Sequence, residues 1–340
     1  MGNIQLLDCT LRDGGYINDW EFGHENLTAI FQRLVDARVD MIEIGFLDEQ
    51  RPFDWNRSIM PDTACVKNIY GDLEKKGTKV VGMIDYGTCS LGNIQPASES
   101  FLDGIRVIFK KHLRREAVAF CQKLKDLGYL VFVQMVSATS YTEEETMDLA
   151  LLANDMMPYA LTIVDTYGLM HPDCLLHYFD ILDQELNPKI KVGYHGHNNF
   201  QMAYANCMEY LKQGISRQRD LIVDASLYGM GKAAGNLPIE LAVMHLNTAY
   251  GENYGISPIL EAIEEIIFSF YNEPSWGYNL YYYMAAYHGC HPGYVFYLAE
   301  KQGLSATLIH KILEKVEAPK KLTFQEAYME KLYMDSSTCL

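Results

Sequence analysis

The chain has 340 residues, 49% of them apolar and 21% charged, and a formal net charge of −16. This is enough apolar material for one large domain or a barrel with a smaller module, and an acidic surface without a Lys/Arg block excludes a nucleic-acid groove. No run approaches the roughly 20 apolar residues of a membrane span, Met1-Gly2-Asn3-Ile4-Gln5 reads as no secretory leader, and eight cysteines without a Cys-x-x-Cys pair read as reduced thiols of a cytoplasmic protein.

Short apolar runs recur along the first 225 residues: Ile4–Asp8, Met41–Phe46, Lys79–Ile84, Gly104–Phe109, Leu130–Val136, Leu161–Val164, Ile190–Tyr194 and Leu221–Ala225. Most are continuous rather than alternating, the pattern of strands buried on both faces of a parallel sheet. Amphipathic segments separate them. Glu25–Ala37 sets Leu27, Ile30, Phe31, Leu34 and Val35 on one stripe. Arg114–Leu127 is stopped by Gly128, and Thr142 with Glu145 forms a capping box that opens a helix to about Met156. Met202–Gln213 and Pro238–Ala249 complete the set.

Eight strand–helix units in about 250 residues predict an α/β chain folded as a (β/α)8 TIM barrel, with an open doubly wound sheet as the competing architecture. The period breaks after Tyr250. Pro258–Tyr271, Tyr278–Tyr287, Gly293–Gln302, Ser305–Glu314 and Thr323–Tyr333 then read as helices. The expected division is a catalytic barrel over residues 1–253 and a helical C-terminal module over 254–340.

The seventh run ends in His195-Gly196-His197. In extended chain, positions i and i+2 point the same way and two residues rise about 6–7 Å, so both imidazoles can meet one ion. Gly196 is expected to clear the approach. The first run ends in Arg12-Asp13-Gly14-Gly15, and the eighth leads into Tyr228-Gly229-Met230-Gly231-Lys232-Ala233-Ala234-Gly235-Asn236, which is neither a dinucleotide fingerprint nor a phosphate loop. In a closed barrel the eighth strand lies between the seventh and the first. Asp13, His195, His197 and Asn236 then meet at the C-terminal mouth. Mixed N/O donors without thiolate, with about two of six positions open, favour Mn²⁺ or Mg²⁺ ahead of Fe²⁺ or Zn²⁺.

The order of motifs resembles the metal-dependent DRE-TIM (HMGL-like) superfamily, which includes 4-hydroxy-2-oxovalerate aldolase, hydroxymethylglutaryl-CoA lyase and isopropylmalate synthase. The matching pieces are Asp8-Cys9-Thr10-Leu11-Arg12-Asp13-Gly14, Ile42-Glu43-Ile44-Gly45, Val164-Asp165-Thr166-Tyr167-Gly168, His195-Gly196-His197-Asn198 and Gly229–Asn236. The resemblance implies that Asp13, His195, His197 and Asn236 hold a divalent metal, that Arg12 faces the substrate oxyanion and that Glu43 orients Arg12. It implies aldol or retro-aldol cleavage of a 2-oxo acid and an aldehyde through a pyruvate-type enolate, with acyl-CoA Claisen chemistry as the near alternative. Such chemistry needs a Lewis acid, a fixed cation at the oxyanion and a proton-transfer group.

The proton-transfer group departs from the pattern. The oxovalerate aldolases place a histidine three residues after the metal aspartate, where this chain has Tyr16; the lyases' cysteine in the glycine loop is absent. Tyr16, Tyr281, His24, His288 and His291 are the candidate substitutes. Ser137, Thr166 and Lys110 are candidate substrate-binding residues with Arg12, and His112, Thr139 and Ser140 lie near them. The tyrosine run Tyr278, Tyr281, Tyr282, Tyr283 and Tyr287 suits a pocket wall or a subunit contact. A homodimer is expected, with a partner enzyme at the C-terminal module as a further possibility. Readings from other classes are a non-haem iron oxygenase and a non-catalytic partner subunit that keeps a metal site.

Overall fold

The computed structural model describes residues 2–271, 276–301 and 304–337. Eight parallel strands form its centre: β1 (Ile4–Asp8), β2 (Met41–Leu47), β3 (Lys79–Asp85), β4 (Gly104–Ile108), β5 (Leu130–Met135), β6 (Ala160–Asp165), β7 (Lys191–Gly196) and β8 (Leu221–Ala225). β1 pairs with both β2 and β8, and β8 with β7, so the sheet closes on itself. The chain is a TIM barrel, and closure rules out the open doubly wound sheet. A two-residue strand, Ile59–Met60, adds to the outside of β2.

The helices that cover the barrel follow from apolar stripes. α1 (His24–Asp36) buries Leu27, Ile30, Phe31, Leu34 and Val35. α2 (Thr63–Tyr70) and α5 (Pro172–Glu185) were not among the expected segments. Asp62 caps α2 by accepting from the Cys65 amide at 2.7 Å, while α5 carries Leu175, Tyr178, Phe179 and Leu182 at helical spacing. α3 (Arg114–Asp126), α4 (Glu143–Met156), α6 (Ala203–Ser216) and α7 (Ile239–Ala249) match expectation within a few residues, and the Thr142–Glu145 capping box is present.

The segment after α7 packs differently from its expected role. Helix Ile256–Ala262 continues through a π turn, Ile263–Ile267, to Phe268–Phe270. Its Ile259, Ala262, Ile263, Ile266 and Ile267 belong to the apolar cluster of the barrel. The expected division at residue 253 therefore falls ahead of a helix that shares the barrel's core. A second apolar cluster, from Met284 to Met329, unites Leu280–Tyr287, Pro292–Ala299, Ala306–Leu313 and the helix Glu326–Ser337. Gln302, the expected end of one of these helices, and Cys339 lie outside the described residues. The other seven cysteines are free thiols, and no described helix is long and apolar enough to cross a membrane.

Candidate metal centre

β1 delivers Asp13 through one helical turn, Thr10–Asp13, rather than through an irregular loop. β7 ends in His195 and His197, whose rings point inward on the same side of the strand with centroids 5.0 Å apart. Asn236 reaches them because the chain after β8 folds back: His197 and Asn236 form a backbone bridge, and the Asn198 amide donates to the Gly235 carbonyl at 2.8 Å. One ligand atom each from Asp13, His195 and His197 can be chosen so that all lie within 4.8 Å of one another, and all three residues are buried.

The hydrogen bonds behind the histidines fix what they present. His195 Nδ1 lies 3.0 Å from Asp224 Oδ2, and His197 Nδ1 lies 3.1 Å from the Lys232 carbonyl. Both partners are acceptors, so each Nδ1 carries the proton and each Nε2 keeps a lone pair. The two Nε2 atoms face one another at 3.4 Å. Two buried lone pairs at that distance repel unless a cation sits between them. Burial pushes His197 down to about 3, with Asp13 opposing and His195 adding to the fall. Burial also works against the Asp13 carboxylate, but Arg12 and then the imidazoles outweigh it and hold that carboxyl well below its usual range.

Asn236 donates Nδ2 to Asp13 Oδ2 at 2.8 Å and to the Met230 carbonyl at 3.2 Å, which leaves its buried Oδ1 without a hydrogen-bond partner. A Cβ on Gly231 would lie 2.1 Å from that Nδ2 and 2.6 Å from Asp13 Oδ2, so only glycine fits against this edge of the site. Converging lone pairs, an orphaned amide oxygen and N/O donors without thiolate all fit a hard or borderline divalent cation. Gly196 has a different reason from the expected one. A side chain there would strike the Tyr194 hydroxyl at 2.2 Å, outside the barrel, and would leave the ion's approach untouched.

A row of buried charges backs the ligands. Arg12 donates Nη1 to Asp13 and Nε to Glu43 Oε2 at 2.8 Å. The same Glu43 oxygen lies 3.1 Å from Arg106 Nη1, and Arg106 Nη2 donates to Asp224, the residue behind His195, and to Gln134 at 3.0 Å. Arg106, Gln134 and Asp224 were not among the expected site residues. Asp8, at the end of β1, accepts from both the amide and the hydroxyl of Thr10, yet burial pushes its carboxyl up to about 7.

A cavity of about 220 Å³ opens onto this cluster; Arg12, Asp13, Tyr16, Ser137, Thr166, His195, His197 and Lys232 all border it. Ser137 stands there in left-handed backbone, φ 53°, its amide donating to Thr166 Oγ1 at 2.8 Å. Tyr16 packs its ring on Trp20 and Phe46, and burial pushes its hydroxyl up to about 12 against the pull of Arg12. Glu43 and Asn236 border no part of this cavity. A second cavity of about 740 Å³ lies beside the first and contains Lys110, His112 and Ser140 in its wall, together with His291 from the C-terminal helices.

Of the other candidates, Tyr281 packs on Phe296 within the second apolar cluster and reaches neither cavity. His24 lies against Trp55, and His288 meets His310 at 2.9 Å. Tyr283 and Tyr287 border a small separate pocket with His310.

The family model described as HMGL-like matches residues 3–263. A 4-hydroxy-2-oxovalerate aldolase from Stutzerimonas stutzeri is 27% identical over 281 residues, 80% of this chain and 78% of its own. The crystal structure of the N-terminal domain of a candidate aldolase from Bacteroides vulgatus superposes with a TM-score of 0.70 at 23% identity, covering 86% of this chain and 95% of that one. The carboxyl transferase domain of Rhizobium etli pyruvate carboxylase, solved with pyruvate, covers all of this chain and 62% of its own at a TM-score of 0.66 and 12% identity.

Proposed function

Because the chain belongs to the HMGL-like family, we propose that it is a divalent-metal-dependent carbon–carbon lyase, working by aldol or retro-aldol chemistry on a 2-oxo acid such as pyruvate. The observation that carries this reading is the convergence of Asp13, His195 and His197 within 4.8 Å, beside a guanidinium that is already held in place. The 4-hydroxy-2-oxovalerate aldolase among the relatives supports the same class of reaction.

When bound, a divalent cation held by Asp13, His195, His197 and the Asn236 amide supplies Lewis acidity toward the carbonyl oxygen of the 2-oxo acid. Every other element of the reaction belongs to the chain. A guanidinium has five N–H donors. Glu43 and Asp13 hold two edges of Arg12, and the rest is fixed toward the cavity without a rotamer search. A cation aimed in advance at the oxygen where enolate charge develops costs no reorganisation during the reaction. Glu43 acts through Arg12 and is a positioning residue, since its side chain is fully buried. Thr166 and Ser137 border the same cavity and are the groups assigned to the donor's carboxylate. Tyr16 stays protonated at neutral pH. It therefore donates to the alkoxide formed in addition, and is a poor acceptor for the hydroxyl proton of an aldol.

The test is deuterium wash-in at the methyl group of pyruvate, read by NMR after metal removal. Wild-type protein with Mn²⁺ or Mg²⁺ should exchange without any aldehyde, and Arg12→Ala should slow exchange by about 10²–10³-fold. No exchange with either ion, or equal exchange in Arg12→Ala, would falsify the reading.

A further inference from the structure

The cavity of about 740 Å³ is larger than the donor chemistry needs. Such a volume lies within the roughly 300–1,000 Å³ of pockets that enclose whole ligands, and a two-carbon aldehyde would leave most of it to water. Ser137, Tyr167, Ile108 and Lys232 border both this cavity and the smaller one, so a molecule whose carbonyl lies over the cluster can extend its tail into the larger space.

The wall of that space carries more positive than negative charge: Lys110, Lys111 and Lys232 stand against one carboxylate, Asp85, which borders both cavities. Lys111 is already engaged, donating to the Ser140 carbonyl and to Glu145, each at 2.8 Å. Lys232 lies over the Tyr16 ring at 5.1 Å, on the side of the smaller cavity. The Lys110 ammonium has no hydrogen-bond partner and no ion pair within 4 Å among the described residues, although burial pushes the Asp85 carboxyl up and the field of Lys110 lowers it in part. His291, carried over the cavity by the C-terminal helices, accepts the Gly293 amide on Nδ1 at 3.0 Å. In the neutral ring Nε2 then carries the proton and is a donor. Phe109 and Phe324 supply apolar surface on the same walls.

We propose that the larger cavity is the acceptor subsite and selects aldehydes whose far end carries an anion, a carboxylate or a phosphate, paired with Lys110 and approached by His291. This rests on the aldolase reading and names the acceptor class for it. The step is balanced without a further reactant. The enolate carbon bonds to the aldehyde carbon, the carbonyl π pair becomes an alkoxide, and that alkoxide takes one proton.

The experiment measures kcat/KM of the metal-loaded enzyme with pyruvate and two aldehyde pairs: butanal against 4-oxobutanoate, and glyceraldehyde against glyceraldehyde 3-phosphate. One charge-assisted contact predicts a preference of about tenfold or more for the anionic member. Lys110→Met should erase most of that ratio and Lys110→Arg should keep it. The pair with the larger ratio identifies carboxylate or phosphate. Equal rates within both pairs, or a ratio unchanged in Lys110→Met, overturns the subsite, while methyl exchange without aldehyde still reports on the aldolase reading. If exchange itself fails, titration of succinate and of glycerol 3-phosphate decides by NMR. Binding weakened in Lys110→Met supports the subsite, and equal binding overturns it.

Discussion

Replacing Arg106 by methionine keeps much of the apolar length of the side chain and removes one buried charge. Glu43 retains Arg12 at 2.8 Å, but Asp224 is left with His195 alone. In the wild type, burial pushes the Asp224 carboxyl up, and Arg106 together with His195 outweighs it, so the group sits below its usual range. Breaking a buried pair by removing one partner costs about 3–5 kcal/mol. Protonation sets a ceiling: taking a proton at pH 7 onto a carboxyl of ordinary pKa near 3.9 costs about 4 kcal/mol at 1.36 kcal/mol per pH unit. The expected loss at pH 7 is therefore about 3–4 kcal/mol. The pH dependence has a definite sign. In the variant the folded-state pKa of Asp224 lies above its unfolded value, so the penalty is absent below about pH 4 and grows by about 1.4 kcal/mol per unit up to the folded pKa. Urea unfolding of metal-free wild type and Arg106→Met at pH 7 and pH 5 should show a deficit that shrinks by about 2–3 kcal/mol at the lower pH, with m unchanged. A deficit under about 1 kcal/mol, or one equal at both pH values, would refute the claim that Arg106 compensates Asp224.

Two more outcomes rest on the same geometry. Gly231→Ala places a methyl against Asn236 and Asp13, and should weaken Mn²⁺ binding by about 10–100-fold; circular dichroism of the metal-free protein should change little, and an unaltered Mn²⁺-induced rise in Tm would contradict the fit. Asp8→Asn addresses a carboxyl pushed up to about 7 by burial. The wild type carries no ionisation penalty below about pH 4 and a growing one up to pH 7, so the variant should gain stability relative to wild type across that interval, by about 1.4 kcal/mol per unit, and then level off. Flat relative stability from pH 4 to pH 7 would show that Asp8 is not raised.

The meeting of Asp13, His195 and His197 was legible because two periods fixed it. Strand alternation sent His195 and His197 to one side, and barrel closure brought β1 and β8 beside β7. The purpose of Gly196 was misread because the spacing says which side a residue faces and nothing of what its neighbour Tyr194 needs. Arg106 and Asp224 carried a visible signal, since each is a charge inside an otherwise apolar strand, and buried charges are paired. Their partnership spans 118 positions, though, and depends on which strands face across the barrel. Tyr281 was chosen for belonging to a tyrosine-rich run; the way the last helices pack, which no local pattern encodes, turned it into their own core and brought His291 over the mouth instead. Ile256–Ala262, just past the expected division at residue 253, is as helical as the segments of the C-terminal bundle, and only its contacts join it to the first cluster.

The mouth is bounded on one side by strands and on the other by helices with a separate apolar cluster, and the Tyr167 hydroxyl reaches across to the Leu322 carbonyl at 2.8 Å. The two walls consequently answer to different constraints. The buried cluster of Asp13, His195 and His197 sits at the ends of β1 and β7, joined through β8 in one closed sheet, where a change disturbs the next strand. The opposite wall, with His291 and Phe324, hangs on a small bundle whose surface can be rewritten with the sheet left alone, so that side of the larger cavity is free to change shape while Lys110 and the buried cluster stay where the barrel puts them.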